Sequence, residues 1–530
     1  MEQTPAAKAP FFIAILGGLV SAAVALAVAE LIAGLNSAWR SPVLDVGDRV
    51  IDAAPPFVKE FAIDTFGTND KPALLIGIGA FLALYALAVG FVALRRSLVA
   101  GLVGIAVFGL IGAWASNGRR AGAPWHVVLP SIGGTLAGMG ALVLIHRSVL
   151  ARSASAATGA GGGPGDSNAP GGLRRRQFLG HTGTLVGALG AGAAAFGGLG
   201  RLLGSRFSAT ESRKEVALPS PAEALPELPA GVNVDVEGMT TFVTPNTDFY
   251  RIDTALTAPQ VLTSDYKLRI TGMVDNEIEL SYEELVEREM IEVDVTLTCV
   301  SNEIGGRLVG NARWLGTRLD DLLNEAGVQS GADQVVGRSV DGFECGFPVS
   351  VAMDGRDALV AVGMNGEPLP IAHGFPVRLV VPGLYGYVSA TKWLTEIELT
   401  TFAALDHYWL QRGWAREAPI KLMSRIDTPR GLSTVPAGTV PIAGVAWRQT
   451  IGVGAVEVQV DDGEWQPAEL GEVPSDDTWV QWVFPWEADT GRHTLRVRAT
   501  DKEGSIQTDE RAEPIPDGAS GHHQIVVTVA

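Results

Sequence analysis

Cysteine is scarce in this chain of 530 residues, and the scarcity excludes several classes of protein. Only Cys299 and Cys345 occur, so a disulfide-rich scaffold and any zinc or iron–sulfur site with several cysteine ligands are excluded. The sequence also contains no Walker loop, no G-x-S-x-G elbow, no H-E-x-x-H motif and no C-x-x-C-H haem attachment. Nothing therefore indicates a classical hydrolase or a nucleotide-dependent enzyme.

Positive charge is scarce in the C-terminal part of the chain. Residues 206–530 carry 25 Lys and Arg against 49 Asp and Glu, whereas residues 1–205 carry 15 against 9. A nucleic-acid partner requires a basic face that binds phosphates, so the acidic part argues against such a partner. The mean hydropathy of +0.22 is too high for an ordinary soluble protein. The excess must lie in particular segments.

Long apolar runs account for that excess and predict four membrane-spanning helices within residues 1–150. Each run approaches or exceeds the length of about 20 residues that a bilayer requires. Glu30 is the one acid inside a run, interpreted as an acid near the interface, with a proton site as the alternative. His126 and His146 fall on opposite membrane faces and cannot share a haem iron, so the helices are predicted to anchor rather than to conduct electrons. The runs are Phe11–Leu35, Pro72–Leu94, Ser97–Ala115 and Trp125–Ile145.

Residues 151–205 are interpreted as a linker followed by a signal or anchor helix. Residues 151–172 are rich in Gly, Ser and Ala, which is typical of a flexible linker. Arg174–Arg176 and Gln177-Phe178-Leu179 then precede an apolar run from 180 to 200, a pattern that resembles a twin-arginine export signal. The alternative is an ordinary basic flank. Either interpretation keeps the arginines in the cytoplasm, so five crossings predict a multi-pass protein of the cytoplasmic membrane with residues 206–530 outside.

Three regions follow the fifth run. Residues 206–239 are Pro-rich and polar and are interpreted as a tether. Residues 240–403 alternate helix-like and strand-like stretches, which predicts an α+β domain. Residues 404–530 contain short alternating strands divided by turns, a pattern typical of an immunoglobulin-like β-sandwich. The predicted architecture is therefore multi-domain: a helical membrane segment, an α+β domain and a C-terminal β-sandwich.

Several local signals inside these regions predict individual elements. Ser281–Glu284 has the form of a capping box that begins a helix, and Val293–Val300 is β-branched and alternating, as a strand is. The apolar spacing of Leu319–Ala326, followed by Gly327, predicts a helix with its terminating glycine. Asn365-Gly366 predicts a tight hairpin. The tryptophans of the C-terminal region are expected in its core rather than at an interface: Trp447, Trp465, Trp479, Trp482 and Trp486.

Two segments carry the residues that suit chemistry. Cys299 stands at the end of a predicted strand in Thr296–Asn302, and His373–Leu394 combines three cationic or potentially cationic side chains with prolines and glycines. Glycines allow a backbone to approach a bulky ligand, and Arg and Lys suit a phosphate. These residue types therefore favour a site for an anionic cofactor. The alternative is a structural loop with surface cations.

The chain resembles the sulfite-oxidase-type molybdopterin oxidoreductases over about residues 240–530. The family-specific strings are T-L-x-C with Asn302, N-A-R-W-L-G (Asn311–Gly316), S-V-D-G-F (Ser339–Phe343), M-N-G-E-P-L-P (Met364–Pro370), H-G-F-P-V-R-L-V-V-P-G (His373–Gly383) and K-W-L (Lys392–Leu394). The resemblance implies a molybdenum–molybdopterin cofactor with Cys299 as the thiolate ligand of the metal. A thiolate suits a soft, high-valent metal site. Cys345 is interpreted as a core residue. The alternatives for Cys299 are a buried inert thiol and a disulfide with Cys345.

The resemblance also implies the residues that contact the cofactor. Tyr250 and Arg251 lie in the string Asn246–Arg251, which matches the family's N-terminal cofactor-contact block, and Arg251 is also expected to act in catalysis together with Cys299. Ser339 and Ser389 are expected to donate further hydrogen bonds. The expected cofactor-binding set is Asn246, Tyr250, Arg251, Ser339, His373, Arg378, Ser389 and Lys392.

Departures from the family's pattern bear on the substrate. In the sulfite oxidases, arginines follow the cysteine motif, whereas this chain has Glu303 and Ile304 there. Val362 stands where those enzymes have a tyrosine, and their R-N-H string is here Arg251-Ile252-Asp253. Acids near the metal would repel a dianion such as sulfite. The expected reaction is therefore oxygen-atom transfer, with two electrons, to or from a sulfoxide, an N-oxide or a sulfite-like molecule. A separate electron-transfer partner, either the quinone pool or a cytochrome, is expected, together with a homodimer through the C-terminal domain. The alternative is a cofactor-free binding or adhesion protein on a membrane anchor.

Overall fold

The computed structural model describes residues 9–36, 39–55, 58, 61, 65–66, 70–117, 125–158, 171–205, 207–222 and 224–530. The chain forms two units. The first comprises Met1–Ser208 with Thr254–Ala258, and the second comprises Ala209–Asp253 with Pro259–Ala530. The predicted linker at 151–172 lies mostly outside the described residues, as do the side chains of Arg174–Arg176.

The first unit is helical in the residues that the structure describes. Five of its helices are long and apolar enough to cross a membrane. Small residues let them approach closely: a Cβ on Gly18 would lie 2.8 Å from the Gly90 Cα, and one on Gly200 would lie 2.7 Å from the Glu30 carbonyl oxygen. The helices are α1 (Phe11–Ala33), α2 (Pro42–Ala53), α3 (Asp70–Arg95), α4 (Leu98–Asn117), α5 (Leu129–Thr158) and α6 (Gly171–Ser205), with a 3₁₀ turn at Trp125–Val128.

Helix α2 was not predicted from the sequence. It lies in the connection between the first two apolar runs, where twelve residues alternate apolar and acidic side chains. Pro42 occupies the first turn, where a missing N–H does no harm. Asp48 is fully buried and is held by Arg40, whose Nη1 lies 3.0 Å from the carboxylate. The Leu256 N–H also donates to Asp48, so this buried acid is paired rather than isolated.

The second unit begins with the residues that were predicted to form a tether. Helix α7 (Ala209–Glu215) and a 3₁₀ turn at Ala230–Val232 lie within them. Ala209 and Val232 are buried, and the Ala222 N–H donates to the Met290 carbonyl. The prediction of a tether is therefore wrong for most of residues 209–239, which pack on the rest of the second unit. Their composition does not reveal the apolar contacts that they make there.

Two five-stranded sheets form the α+β part. One has the strand order β2-β1-β10-β5-β6 and the other β3-β4-β7-β8, with β9 added to β7. Their strands are β1 (Lys267–Gly272), β2 (Ile278–Ser281), β3 (Ile291–Thr298), β4 (Val309–Arg318), β5 (Gln334–Ser339), β6 (Glu344–Pro348), β7 (Leu359–Met364), β8 (Glu367–Pro368), β9 (Arg378–Val380) and β10 (Leu394–Thr400). The helices are α8 (Tyr282–Val286), α9 (Leu319–Ala326), α10 (Val349–Ala352) and α11 (Gly386–Ser389).

The local signals in this part have the predicted structural outcomes. Ser281 and Glu284 form the reciprocal hydrogen bonds of a capping box at the start of α8. Gly327 terminates α9 with φ 72°, and Asn365 and Gly366 both have positive φ, at 53° and 75°, as the tight turn between β7 and β8 requires. Strand β3 matches the predicted strand within two residues at each end.

The C-terminal part is β-rich and consists of two sheets that share one hydrophobic core. Their strand orders are β11-β13-β17-β16 and β12-β19-β18-β14-β15. Trp482 and Trp486 lie in this core as predicted, whereas Trp447 and Trp479 are buried in the hydrophobic cluster of the α+β part and Trp465 is half-buried. The strands are β11 (Met423–Thr428), β12 (Thr434–Val435), β13 (Gly438–Trp447), β14 (Val453–Val460), β15 (Gln466–Pro467), β16 (Glu469–Leu470), β17 (Val480–Ala488), β18 (Gly491–Asp501) and β19 (His523–Val529).

Candidate active site

Cys299 follows β3 directly, and the loop behind it is closed by hydrogen bonds. The Cys299 N–H donates to the Leu308 carbonyl over 2.9 Å, and the Asn302 N–H donates to the Cys299 carbonyl over 3.0 Å. The Asn302 amide oxygen in turn accepts from the Leu308 N–H. Both cysteines are free thiols, buried in different surroundings. The alternative of a Cys299–Cys345 disulfide is therefore wrong, and Cys345 is a core residue whose Sγ lies 3.0 Å from the Thr391 hydroxyl.

The surroundings of the Cys299 thiol both oppose and assist its ionisation. Burial raises its pKa, whereas the N–H and hydroxyl of Ser301 and the charge of Lys392 lower it. A thiol must lose its proton to bind a metal, and a bound cation strengthens that tendency. Ser301 was quoted in the cysteine motif but not recognised as a functional residue. A short polar side chain two positions after the cysteine expected to bind the metal was the available signal.

Tyr250 brings a hydroxyl to the same place. A Cβ built on Gly386 would lie 3.8 Å from the Tyr250 hydroxyl oxygen and 3.9 Å from the Thr298 carbonyl oxygen, next to Cys299. Burial raises the pKa of Tyr250 far above its usual value, the charge of Cys299 adds to this, and Arg378 opposes it. The hydroxyl therefore stays protonated and can donate a hydrogen bond. The Phe249 ring stacks on Tyr250, with centroids 5.2 Å apart, and fixes its direction.

Arg378 is a buried cation at this site. Its side chain lies over the Trp314 ring, 4.9 Å from the centroid, and its Nη1 donates to the His373 carbonyl over 3.1 Å. Only 4% of the residue is exposed, and burial lowers its pKa to about 10. None of the ion pairs in the described part of the chain involves Arg378. A buried guanidinium without a carboxylate partner fits an anionic ligand, which would compensate the cost of its burial.

His373 is neutral and has a defined tautomer. Its Nε2 lies 3.1 Å from the Asn246 carbonyl oxygen, so Nε2 carries the proton and Nδ1 is an acceptor. Burial and the charge of Arg378 lower its pKa to about 4. Asn246 is itself held by Asn365, whose side-chain amide donates to the Asn246 amide oxygen over 2.8 Å. The hairpin turn at Asn365 therefore positions the cofactor-contact block that the sequence singled out.

Lys392, Asp253 and Arg251 form an ion triad. The Lys392 ammonium and the Arg251 Nε lie 2.9 Å and 2.7 Å from the same oxygen of Asp253. The side chains of Lys392 and Asp253 are 11% and 5% exposed, whereas that of Arg251 is 38% exposed. Burial lowers the pKa of Lys392 to about 8, and Asp253 opposes this. Asp253 was predicted to repel a dianion. In the structure, Asp253 also forms ion pairs with Lys392 and Arg251, two of the cations expected to bind the cofactor.

The two predicted serines differ in their free hydrogen-bonding capacity. The Ser339 hydroxyl is buried and has no hydrogen-bond partner among the described residues, so it could donate to a ligand. The Ser389 hydroxyl, fully buried, already donates to the Tyr385 carbonyl over 3.1 Å. Glu303, the other acid of the predicted site, is exposed.

The charges that act on the individual pKa values indicate which predicted residues lie close together. The charge of Lys392 lowers the pKa of Cys299, that of Cys299 raises the pKa of Tyr250, and those of Arg378, Lys392 and Arg251 lower the pKa of His373. This set combines one thiol, one phenol hydroxyl, a neutral imidazole and three cations. Together with the unpartnered Ser339 hydroxyl, these donors fit a phosphate-bearing pterin whose metal is bound by a single thiolate.

Comparison with known proteins agrees with this assignment. Residues 255–409 match the family model of the oxidoreductase molybdopterin-binding domain. Mitochondrial sulfite oxidase of Homo sapiens is 30% identical over 320 residues, which cover 51% of this chain and 58% of the human protein. Sulfite oxidase of Gallus gallus is 29% identical over 51% of this chain and 69% of its own. The NAD(P)H nitrate reductase of Hordeum vulgare is 31% identical over 28% of this chain and 20% of its own.

One solved structure is also similar. The sulfane dehydrogenase SoxCD from Paracoccus pantotrophus superposes with a TM-score of 0.46 and 23% identity, covering 55% of this chain and 81% of the SoxCD chain. This chain thus spans 58% of the length of the human sulfite oxidase that it matches. The family match identifies residues 255–409 as an oxidoreductase molybdopterin-binding domain, whose cofactor is molybdenum–molybdopterin, and the relatives show that this domain is similar to those of the sulfite oxidases.

Proposed function

We propose that this chain is a membrane-anchored molybdenum-cofactor oxidoreductase that acts outside the cytoplasmic membrane. Its reaction is the transfer of one oxygen atom and two electrons to or from a small molecule, and we favour a neutral sulfoxide or N-oxide. One observation carries the proposal: the buried Cys299 directly follows Thr298, whose carbonyl and the Tyr250 hydroxyl both lie beside Gly386, and the charge of Lys392 favours the Cys299 thiolate by lowering its pKa.

The residues of the chain divide between holding the cofactor and orienting the substrate. The Cys299 thiolate would bind the metal, and Arg378, Lys392 and the Ser339 hydroxyl would hold the pterin and its phosphate. The bound cofactor supplies the oxygen-atom transfer. Tyr250 remains protonated beside the thiol, so its hydroxyl can donate to the oxygen of a bound substrate and orient it. Neutral His373 fixes the Asn246 backbone through its Nε2 proton.

The ion triad supports a neutral substrate. Asp253 accepts from both Lys392 and Arg251, and its charge offsets one of the two positive charges that would otherwise attract a dianion. A like charge close to the reaction centre opposes the binding of sulfite, and the opposition grows as the dielectric falls. A sulfoxide or an N-oxide brings no net charge and requires only a hydrogen-bond donor, which the Tyr250 hydroxyl provides.

The remaining parts of the proposal concern location and partners. Five apolar helices support a multi-pass anchor, with a twin-arginine-like signal ahead of the fifth and the catalytic domain on the extracytoplasmic side. A separate partner, either the quinone pool or a cytochrome, would exchange electrons with the domain. The two C-terminal sheets, with β11-β13-β17 facing β19-β18-β14 across one core, support an immunoglobulin-like sandwich. A homodimer through this sandwich rests on the resemblance to the sulfite oxidases. Light scattering on the purified chain tests the dimer.

Metal and pterin analysis of matched cysteine variants tests the site. In a host that makes the cofactor, wild-type protein and Cys345→Ala are expected to contain stoichiometric molybdenum, whereas Cys299→Ala is expected to lose it. Full metal content in Cys299→Ala would show that the assignment is wrong. Wild-type protein that is colourless and free of metal would favour the alternative, a binding or adhesion protein on a membrane anchor.

A substrate screen tests the reaction. Loaded enzyme is assayed with an artificial electron donor or acceptor against sulfoxides, N-oxides and sulfite. We expect turnover of a sulfoxide or an N-oxide with a kcat/KM at least tenfold above that of sulfite. The reverse order would overturn the argument from Asp253.

A further inference from the structure

An apolar crevice lies between the helices of the first unit, outside the molybdopterin site. It holds about 100 Å³ of space between α1, α2, α3, α4 and α5. Small residues such as Ala25 and Gly134 line one side, and the Tyr85 and Phe108 rings line the other. A cavity of this kind between membrane helices admits an apolar ligand.

The hydroxyl groups that line the crevice are not equivalent. Ser21 donates to the Gly17 carbonyl over 2.8 Å, Thr135 to the Ser131 carbonyl over 2.6 Å, and Tyr85 to the Gly104 carbonyl over 3.0 Å. The Ser131 hydroxyl, in a residue only 4% exposed, has no hydrogen-bond partner among the described residues. A buried hydroxyl without a hydrogen-bond partner costs free energy in apolar surroundings, unless a ligand accepts a hydrogen bond from it. The ligand is therefore expected to carry an acceptor oxygen.

The position of Ser131 relative to the aromatic rings indicates where the ligand carries its acceptor oxygen. A Cβ on Gly112 would lie 2.9 Å from the Ser131 hydroxyl, so the two residues face each other. Phe108 precedes Gly112 by four residues on α4, or about 6 Å along the helix axis. The Phe108 and Tyr85 ring centroids are 5.7 Å apart. A six-membered ring against these aromatics would therefore present a carbonyl at the level of Ser131.

A group of acids adjoins the crevice at the Ser131 end. Pro42 lines it there, and its neighbour Ser41 donates to the Glu30 carboxylate. The Ser116 hydroxyl donates over 2.7 Å to Asp45, which also lies 3.6 Å from Arg40. Ser116 lies about one turn of α4 beyond Gly112, which faces Ser131, so groups that can exchange protons adjoin this end of the crevice.

We propose that this crevice binds the ring of a membrane quinone, with the Ser131 hydroxyl donating to one ring carbonyl and the isoprenoid tail lying along the apolar lining. Reduction of a sulfoxide or an N-oxide consumes two electrons and two protons and releases water, and a quinol supplies both as it becomes a quinone. Those two electrons match one oxygen-atom transfer at the molybdenum site, so the proposal names the redox partner of the proposed function and rests on it for that link. The ring binding itself depends only on the first unit.

Binding of decylubiquinone to the full chain tests the proposal. Purified protein in nanodiscs of saturated phosphatidylcholine is titrated with the quinone, and the retained quinone is measured by its absorbance after gel filtration. Loss of one net hydrogen bond predicts that Ser131→Ala raises the Kd about three- to tenfold. The matched control is Ser148→Ala on the same helix, whose hydroxyl donates to the Ile145 carbonyl and lies outside the crevice. Its Kd is expected to stay within twofold of wild type.

A filling variant and a competitor complete the test. Leu82→Trp places a larger side chain in the crevice and is expected to abolish retention while leaving the molybdenum content unchanged. Absence of retention by wild type, an equal Kd for Ser131→Ala, or equal displacement by a saturated single-chain lipid would each overturn the proposal. The last result would make the crevice a lipid site only.

The Cys299→Ala variant separates this proposal from the proposed function. It removes the expected metal ligand, which lies in the second unit, and is expected to retain the quinone with the wild-type Kd. Molybdenum-loaded enzyme that reduces a sulfoxide or an N-oxide with an artificial electron donor but binds no quinone would refute the quinone site alone. Protein that binds quinone but no molybdenum would refute the proposed function alone.

Discussion

The Lys392 ammonium donates to the Asp253 carboxylate over 2.9 Å, across 139 residues of sequence and with both side chains largely buried. Burial lowers the pKa of Lys392 to about 8, and the charge of Asp253 holds it from falling further. Asp253→Asn is therefore expected to bring the pKa of Lys392 below 8. Lys392 would then lose its positive charge near neutral pH in the cofactor-free protein. Competitive labelling of lysines with acetic anhydride at several pH values, read by mass spectrometry, measures this shift.

Arg251 provides a control of opposite sign. Its charge lowers the pKa of Lys392, so Arg251→Gln is expected to raise the pKa of Lys392 in the same labelling experiment. Shifts in the same direction for both variants would contradict the ion triad.

Arg378 and Arg313 are expected to respond differently to the same substitution. Arg313 makes two hydrogen bonds to Asp294, a carboxylate that is 2% exposed. Arg313→Met strands that acid and should lower the free energy of unfolding by about 3 kcal/mol. Arg378→Met leaves no carboxylate behind, so the cofactor-free protein should lose less stability, whereas cofactor retention should fall at least tenfold. Chemical denaturation and molybdenum analysis of the two variants separate these effects.

The Asn365 side chain is expected to contribute both to stability and to the site. It donates to the Thr244 carbonyl and to Asn246, accepts from the Arg313 N–H, and has φ 53°. Asn365→Ala loses these hydrogen bonds and strains the turn, so we expect a loss of about 2–3 kcal/mol. Asn365→Gly relieves the strain but does not restore the hydrogen bonds. Its stability should therefore lie between that of the alanine variant and that of wild type. Thermal unfolding of the three proteins gives the order, and cofactor retention should follow it.

Asp477 predicts how stability depends on pH. Burial raises the pKa of its carboxyl group to about 6, with the Asp357 and Asp476 charges adding to this effect. The folded state therefore holds a proton that the unfolded state, with a pKa near 3.8, releases, and stability falls as pH rises from about 4 to 6. Asp477→Asn should remove that dependence and add about 1–2 kcal/mol at pH 7. The Thr450 N–H still has an amide oxygen to donate to. An unchanged pH profile of the melting temperature would contradict the assignment.

The candidate cofactor residues could be selected from the sequence because they lie in short strings whose residue types already suit an anion and a metal. Cys299 ends a strand of clear alternation, and His373–Leu394 concentrates its cations in 22 residues. The capping box and the Asn365 turn were predictable for a similar reason, because each is a local device with its own hydrogen bonds.

Features that depend on distant partners could not be predicted. The pairing of Asp253 with Lys392 joins two segments that no local period connects. Helix α2 is stabilised by the burial of Asp48 against Arg40 and Leu256, whereas its composition alone suggests a loop. The hydrogen bond from the Ser389 hydroxyl to the Tyr385 carbonyl likewise depends on the formation of helix α11.

The pairing of the first and last strands of the α+β part constrains how the protein is made. Strand β1 lies parallel to β10, which in turn separates β1 from β5. Until residues 394–400 leave the ribosome, the sheet exists only as two unconnected hairpins, and Lys392 stands just ahead of that last strand. Cofactor insertion must therefore wait for synthesis of nearly the whole α+β part, and a nascent chain that stalls before residue 394 would be unable to capture the pterin.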